Sequence, residues 1–416
     1  LSSANFPGKP ERFLSQAFNA LSRWQRRKPF TDPTLKSRPV QLGLDALESR
    51  LVPASILNGN QIVLGIGDNG SFVTTNSKNA LVGLQFGGTD ILSPGTPLGG
   101  FSVSVNNQSY FNYYYETALN GTLTDISTAQ TKAVRFVSTA IPGLTITREI
   151  SMPLDSRQIF VSMTFENTTK AGAQAKTFTN LASMEIDDPD PNGFDTFNDV
   201  VNLGTGLLAR ANSSTGLTFA LFSSSATASA AIVGSESGFG FTDSDPLRVL
   251  PAPRGTLPAG VGDPNGKQQD VPLRLADSIS TLAPGQSATI FSTILVATTT
   301  AQVNADANLL AHSAAPTAEF AAIGSTNAPL SSASIAFSSP IFGLRLQDFT
   351  LTFNGAAVPL SGVTLVSTDG GKGQQFRLDG LASLTSAEGN YRLTLNTGGK
   401  VSDMAGRFLA SPAALA

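Results

Sequence analysis

Two neighbouring runs constrain the fold more than anything else in the chain. Leu144-Thr145-Ile146-Thr147-Arg148-Glu149-Ile150-Ser151 and Arg157-Gln158-Ile159-Phe160-Val161-Ser162-Met163-Thr164-Phe165-Glu166-Asn167 alternate apolar and polar residues at period two. Alternation of that period places one set of side chains in a core and the other outside it only if the backbone is a strand. The same signature recurs at 61–66, 71–75, 80–86, 101–105, 133–138, 176–184, 217–221, 230–233 and 288–296, with Gly, Pro, Asn and Asp clusters between the runs. Parallel strands would need crossover helices, and no helical periodicity stands out between these runs. The expected fold class is therefore all-β, with a large antiparallel sandwich over residues 56–315.

A composition shift marks the start of that domain. Residues 1–50 carry nine Lys/Arg against four Asp/Glu, a net +5, whereas the whole chain carries −3 and the remainder therefore −8. Phe13, Leu14, Ala17, Phe18, Leu21 and Trp24 sit at helical spacing ahead of Arg26, Arg27 and Lys28, the pattern of a short basic amphipathic helix. An acidic body excludes nucleic acid as its partner on charge grounds. No run of 18 apolar residues exists, so no membrane span is expected. With no cysteine, disulfides, thiolate chemistry and Cys-type metal sites are excluded. The single histidine, His312, lies in a small-residue stretch, Ala311 to Pro316, that reads as a connector, and it has no second histidine to work with.

The densest chemistry lies at Met184 to Asp199, where six of the thirty carboxylates fall within fifteen residues. Asp188, Asp190 and Asn192 at alternate positions, Gly193 for the turn, Phe194 offering its carbonyl and Asp199 at the twelfth place reproduce the spacing of a calcium loop. The expectation is a Ca2+ brace between strands, unlike an EF-hand in its flanks, with Asp195 at position 8 and Asp instead of Glu at position 12. A weaker echo runs through Asp263, Asn265 and Asp270. Asp-Pro and Asn-Gly steps also favour solvated turns without any metal. Gly65-Ile66-Gly67-Asp68-Asn69-Gly70 matches a dinucleotide fingerprint, yet β-branched residues follow where a helix is required, so a hairpin is expected.

Tyr110 to Tyr115 holds four of the five tyrosines. Period two puts Tyr113 and Tyr115 on one face with Phe111, and these two are the candidate glycan contacts, aromatic rings being suited to stacking on sugars. An ordinary strand with a tyrosine-bearing outer face is the reading these residues favour over a sugar platform.

Three resemblances add to this reading. Leu44, Leu47, Glu48, Arg50, Leu51 and Ser55 resemble the LEPR-XLL-type N-terminal segment of large exported bacterial proteins, with Ser49 in place of Pro and a Pro53-Ala54 insertion; the resemblance implies export. The 144–167 pair is similar to strands of bacterial sandwich and supersandwich modules. Residues 327–416, from Ile335-Ala336-Phe337-Ser338-Ser339-Pro340 to Val401-Ser402-Asp403-Met404-Ala405-Gly406-Arg407, resemble a bacterial Ig-like domain of surface-layer or adhesin type, with Arg407 where Asn is usual. That implies a spacer or adhesive module behind a linker at 316–326. Together these give an expected extracellular or envelope protein, non-enzymatic, a structural or adhesive β-module with glycan or other envelope proteins as partners. The alternative is a carbohydrate-binding or carbohydrate-active, supersandwich-like protein, using a carboxylate pair from Glu116, Glu149, Glu166 and Glu185.

Overall fold

The computed structural model describes residues 55–415 apart from 77, 79, 93–98, 129–130, 173, 191–195, 233–243, 252–270, 324–327, 343, 370–372, 397–400 and 404. The basic leader, its export-like motif up to Ala54, Asn192, Phe194 and the second acidic segment with Asp263, Asn265 and Asp270 lie outside the described residues. Contacts separate Leu1–Ser49 from Arg50–Ala416, and every element below belongs to the latter.

Six short strands come first: β1 (Ser55–Asn58), β2 (Ile62–Ile66), β3 (Thr74–Thr75), β4 (Leu81–Val82), β5 (Leu84–Phe86) and β6 (Thr89–Asp90). Strands β1, β2, β5 and β6 form one small antiparallel sheet, and β3 pairs with β4. The Gly65 to Gly70 run is a hairpin turn, as its neighbours imply: Gly67 N donates to Ser71 O at 2.9 Å, and Gly70 has φ +77°. A Cβ at Gly70 would lie 2.8 Å from the Phe136 ring, so this position needs both the left-handed backbone and the missing side chain.

The sandwich follows. Its strands are β7 (Gly99–Val105), β8 (Gln108–Tyr113), β9 (Glu116–Thr117), β10 (Thr122–Asp125), β11 (Thr131–Ser138), β12 (Leu144–Pro153) and β13 (Gln158–Asn167). Then come β14 (Phe178–Asp187), β15 (Phe197–Asn202), β16 (Leu207–Asn212), β17 (Thr218–Ser223), β18 (Ser229–Ile232), β19 (Leu273–Leu282) and β20 (Ser287–Ala297). One sheet runs β10-β11-β12-β13-β20-β17-β16-β15 and the other β18-β19-β14-β7-β8-β9. All of these pairings are antiparallel.

Strand β12 shows how the alternation is spent. Leu144, Ile146, Arg148, Ile150 and Met152 point inward and are buried, while Thr145, Thr147, Glu149 and Ser151 face out. The exception to apolar-in is Arg148, which is fully buried. Its guanidinium crosses the core to β14 and meets Glu185 in a fork, Nη1 to Oε1 at 2.6 Å and Nη2 to Oε2 at 2.8 Å. The rings of Phe101 and Phe72 flank it, 4.5 and 5.1 Å from the guanidinium carbon. The bidentate pair engages two of the guanidinium's donors and the aromatic rings cover its faces, while the buried Nε has no hydrogen-bond acceptor among the described residues.

Strand β14 is buried on both faces from Leu181 to Asp187, because the outer side carrying Met184 and Ile186 is covered by Phe111 and by α1 (Pro246–Val249). A longer helix, α2 (Thr300–His312), is capped by Thr299 and buries Val303, Ala307, Leu310 and Ala311. His312 thus closes a helix, its Nδ1 2.9 Å from the Asn308 carbonyl, and does not sit in a connector. No helix among the described residues is long and apolar enough to cross a membrane.

The C-terminal module begins earlier than composition implies. Its strands are β21 (Ala318–Phe320), β22 (Ser332–Phe337), β23 (Ile341–Phe342), β24 (Phe349–Phe353), β25 (Ala356–Val358), β26 (Thr364–Ser367), β27 (Gln375–Asp379), β28 (Tyr391–Leu395), β29 (Ser402–Asp403) and β30 (Ala413–Leu415). They form sheets β21-β22-β27-β26 and β25-β24-β28-β30 with the pair β23-β29, around Phe320, Ile335, Phe337, Leu351, Leu378 and Leu393. Strand β21 falls inside the span expected to be a linker at 316–326 and pairs with β22 instead.

Removing one half of the buried pair strands a charge in the core. Glu185→Gln is expected to cost about 3 to 5 kcal/mol in urea unfolding, while Arg148→Met with Glu185→Leu recovers most of that loss. A single substitution costing under about 1 kcal/mol would show that the pair is not desolvated as described.

Candidate functional site

The outward face of the eight-stranded sheet and the module enclose a cleft of about 790 Å³, within the size range of ligand sites. Its floor is a grid of polar side chains in register: Thr147, Thr164 and Thr289 in one row, Arg135, Glu149, Ser162 and Phe291 in the next, Ser151 and Phe160 beyond. Thr164 and Thr289 are joined hydroxyl to hydroxyl at 2.8 Å. The module supplies the opposing wall with Leu344, Arg345, Gln347, Val366 and Phe376.

Three contacts hold the module in place. Glu149 accepts Arg135 Nε at 2.6 Å from its own sheet and the Arg345 guanidinium from the module. Phe408 meets Phe291 edge to face, 5.5 Å between centroids. The module's closing turn is the third: Asp403 Oδ1 accepts the Ala405 and Arg407 amides at 2.9 Å each, and Ser224 Oγ donates to the Ala405 carbonyl. Arg407, in place of the usual Asn, pairs with Asp403 and reaches Ser313 Oγ, tying the turn to the end of α2. Gly406, φ +76°, abuts Phe291 so closely that a Cβ would lie 2.4 Å from it.

The described carboxylates of the sequence-derived calcium loop lie on different elements. Asp188 and Asp190 are buried beside the first sheet's edge, where Asp190 N donates to Ile91 O at 2.8 Å. Asp199 sits on β15 in the other sheet, and both its oxygens accept the Arg210 guanidinium at 2.5 Å. Arg210 in turn holds Asn304 of α2. The position-12 carboxylate of the expected loop is therefore engaged by a cation of the chain itself. Among the described residues, no group of three or more acidic or histidine side chains is arranged to hold a metal ion.

Two carboxylates of that acidic stretch belong to strand β14, not to a loop. Glu185 faces Arg148; Asp187, two residues on, points into the same inter-sheet space, fully buried and with neither oxygen hydrogen-bonded. Burial first, then the Glu185 charge, hold the Asp187 carboxyl well above the usual carboxylate range; Arg148 pulls the other way but is committed to Glu185. Asp187 is thus a core carboxyl that holds its proton to higher pH than an exposed one.

The tyrosine run is a hairpin tip. Tyr113 ends β8 and stacks on Phe111, centroids 4.7 Å apart; Tyr115, in the turn, is 71% exposed and lies edge-on to Tyr113 at 6.0 Å. Asn69 Nδ2 clamps the turn through Tyr113 O at 2.9 Å and Thr117 Oγ1 at 3.1 Å. Tyr115 also lies edge-on to Tyr114 at 4.8 Å, so the turn brings together rings that alternation alone places on opposite faces.

Of the four candidate catalytic glutamates, Glu185 is locked in the core and Glu116 lies on the edge strand of the other sheet. Glu149 and Glu166 share the cleft. Glu149 is opposite Ser162, and Glu166 is four residues further along β13, about 13 Å at strand rise. Glycosidase pairs stand about 5 to 10 Å apart.

No family model matches the chain, and no curated protein matches it. Solved structures that it resembles include a polysaccharide lyase (10% identity, TM-score 0.28, covering 82% of this chain and 44% of that one). Others are heparinase III (13% identity, TM-score 0.31, 67% and 38%) and an α-N-acetylgalactosaminidase from Bifidobacterium bifidum (10% identity, TM-score 0.32, 58% and 36%). The chain spans less than half the length of each. Likenesses this distant carry nothing about activity.

Because Asp187 holds its proton in the folded state at pH values where the unfolded chain, with a pKa near 3.9, has lost it, this residue favours folding below about pH 4 and opposes it increasingly as pH rises. Asp187→Asn should therefore stabilise the protein at pH 7, and the gain should vanish near pH 3.5 in urea titrations; a pH-independent effect would contradict a buried carboxyl of raised proton affinity. Asp199→Asn should lower stability by about 1 kcal/mol, given its partial exposure, and by the same amount with or without millimolar Ca2+. A loss seen only in the presence of calcium would return Asp199 to a metal site.

Proposed function

We propose that this chain is a non-enzymatic, exported β-protein that adheres to a carbohydrate polymer, holding it in the cleft between sandwich and module without cleaving it. The observation carrying this reading is the floor of the cleft: rows of Ser and Thr hydroxyls on paired strands, with flat apolar patches at Phe291 and Phe376. Sugar rings offer the matching chemistry, hydroxyls that donate and accept around an apolar ring face. Binding without hydrolysis is favoured because Glu149, held by two arginines, is not free to serve as acid, base or nucleophile. Export is supported by the Leu44–Ser55 motif and by the Ig-like pattern of the module. The tyrosine tip fits the same reading as a second aromatic contact.

A structural spacer is the second reading, favoured by the contacts that fix the module to the sandwich. Incubation with a panel of polysaccharides separates the two. Retention on at least one polymer, with no new reducing ends and no unsaturated sugar absorbance after prolonged incubation, is the expected result. Released oligosaccharides would show an enzyme; retention on none of the panel would leave the spacer.

A further inference from the structure

The charge distribution of the cleft names the class of polymer, an inference that rests on the carbohydrate reading above. Among the described residues, four carboxylates line the cleft, Glu149, Glu166, Asp348 and Asp403, against two guanidinium groups, Arg135 and Arg345. Asp348 caps its own turn by accepting the Arg345 amide at 2.7 Å, and Asp403 is paired with Arg407. Both lining arginines converge on one carboxylate, that of Glu149, which is only 19% exposed.

An anionic polymer, uronate-rich or sulfated, would therefore meet a lining whose described residues carry its own sign, with Arg135 and Arg345 already engaged. A peptide has no purchase by strand addition either. Strands β11, β12, β13 and β20, which make the floor, all lie inside the sheet with a neighbour on each side, so their main-chain groups are consumed. What remains is side-chain hydroxyls, an amide and a few apolar faces.

We infer that the cleft selects neutral over anionic polysaccharide and that Glu149 is the specificity-determining residue, by occupying Arg135 and Arg345. Its carboxylate acts as a built-in stand-in for the sulfate or uronate of an acidic sugar. Removing that charge uncovers two guanidinium groups on facing walls of the cleft, an arrangement suited to forked contacts with a carboxylate or sulfate.

Affinity electrophoresis through gels containing dextran or mannan as neutral probes, and alginate or heparin as anionic ones, tests this. The wild-type protein should be retarded by a neutral polymer and not by an anionic one. Glu149→Gln should gain retardation by the anionic polymer, with apparent affinity rising about tenfold or more and falling again with added salt. Arg135→Gln on that background should abolish the gain. Because Glu149 also holds the module, Glu166→Lys supplies a variant that leaves this contact intact, and it should move selectivity the same way.

Wild-type protein retarded as strongly by alginate or heparin as by neutral polymers would overturn the inference and leave the carbohydrate reading standing. Retardation by neither class would overturn both. Failure of Glu149→Gln and Glu166→Lys alike to gain anionic binding would remove Glu149 as the determinant.

Discussion

The fork between Arg148 and Glu185 is the constraint from which the positions of the other parts follow. It crosses the space between the sheets and joins the middle of β12 to the buried half of β14. Strand side chains alternate, so fixing Arg148 inward fixes Glu149 outward. A slip of β12 by one residue would put Glu149 in the core and Arg148 in the cleft, exchanging the sign of charge at both places. A buried ion pair is weak evidence for stability, because desolvation cancels much of the attraction. Its more secure role here is to make the wrong register costly, and so to determine what the cleft presents.

Asp187 carries the cost of that arrangement. A second carboxylate two residues from Glu185 lands on the same face, and the core offers it no cation of its own. Burial and the neighbouring Glu185 charge raise its proton affinity, which lessens the negative charge the inter-sheet space would otherwise carry. The acidic density that stands out in the sequence is thus divided three ways: Glu185 and Asp187 inside the sandwich, Asp188 and Asp190 beside Ile91, Asp199 with Arg210 on the other sheet.

How much of this could be read from residues alone varies with the signal. Strands β12 and β13 were plain because their alternation is nearly unbroken, and the turn at Gly67 to Gly70 was plain because Asn-Gly and Thr-rich flanks favour a hairpin. Strand β19 escaped because Arg274 and Asp277 interrupt a run whose burial comes from tertiary cover. The helix α2 escaped because alanine and asparagine dilute its apolar stripe, although Val303, Ala307, Leu310 and Ala311 do lie at helical spacing. Module strand β21 hid in a Pro- and Ala-rich stretch that composition marks as a linker. The cleft was beyond reach for a different reason: Arg345 meets Glu149 across 196 positions, and no local pattern encodes a wall built from two domains. Glu149 was visible only as one glutamate among four.

The floor of paired interior strands has an evolutionary consequence. Since its backbone is wholly consumed by the sheet, everything the surface can say to a ligand is said by side chains that point away from the core and contribute little to holding it together. Substitutions at Thr147 or Ser162 would therefore be inherited almost independently of the fold, whereas Thr164 and Thr289, joined hydroxyl to hydroxyl, would change as a pair. Such a lattice lets a lineage rewrite its specificity by a residue or a bonded pair at a time while the protein beneath stays the same.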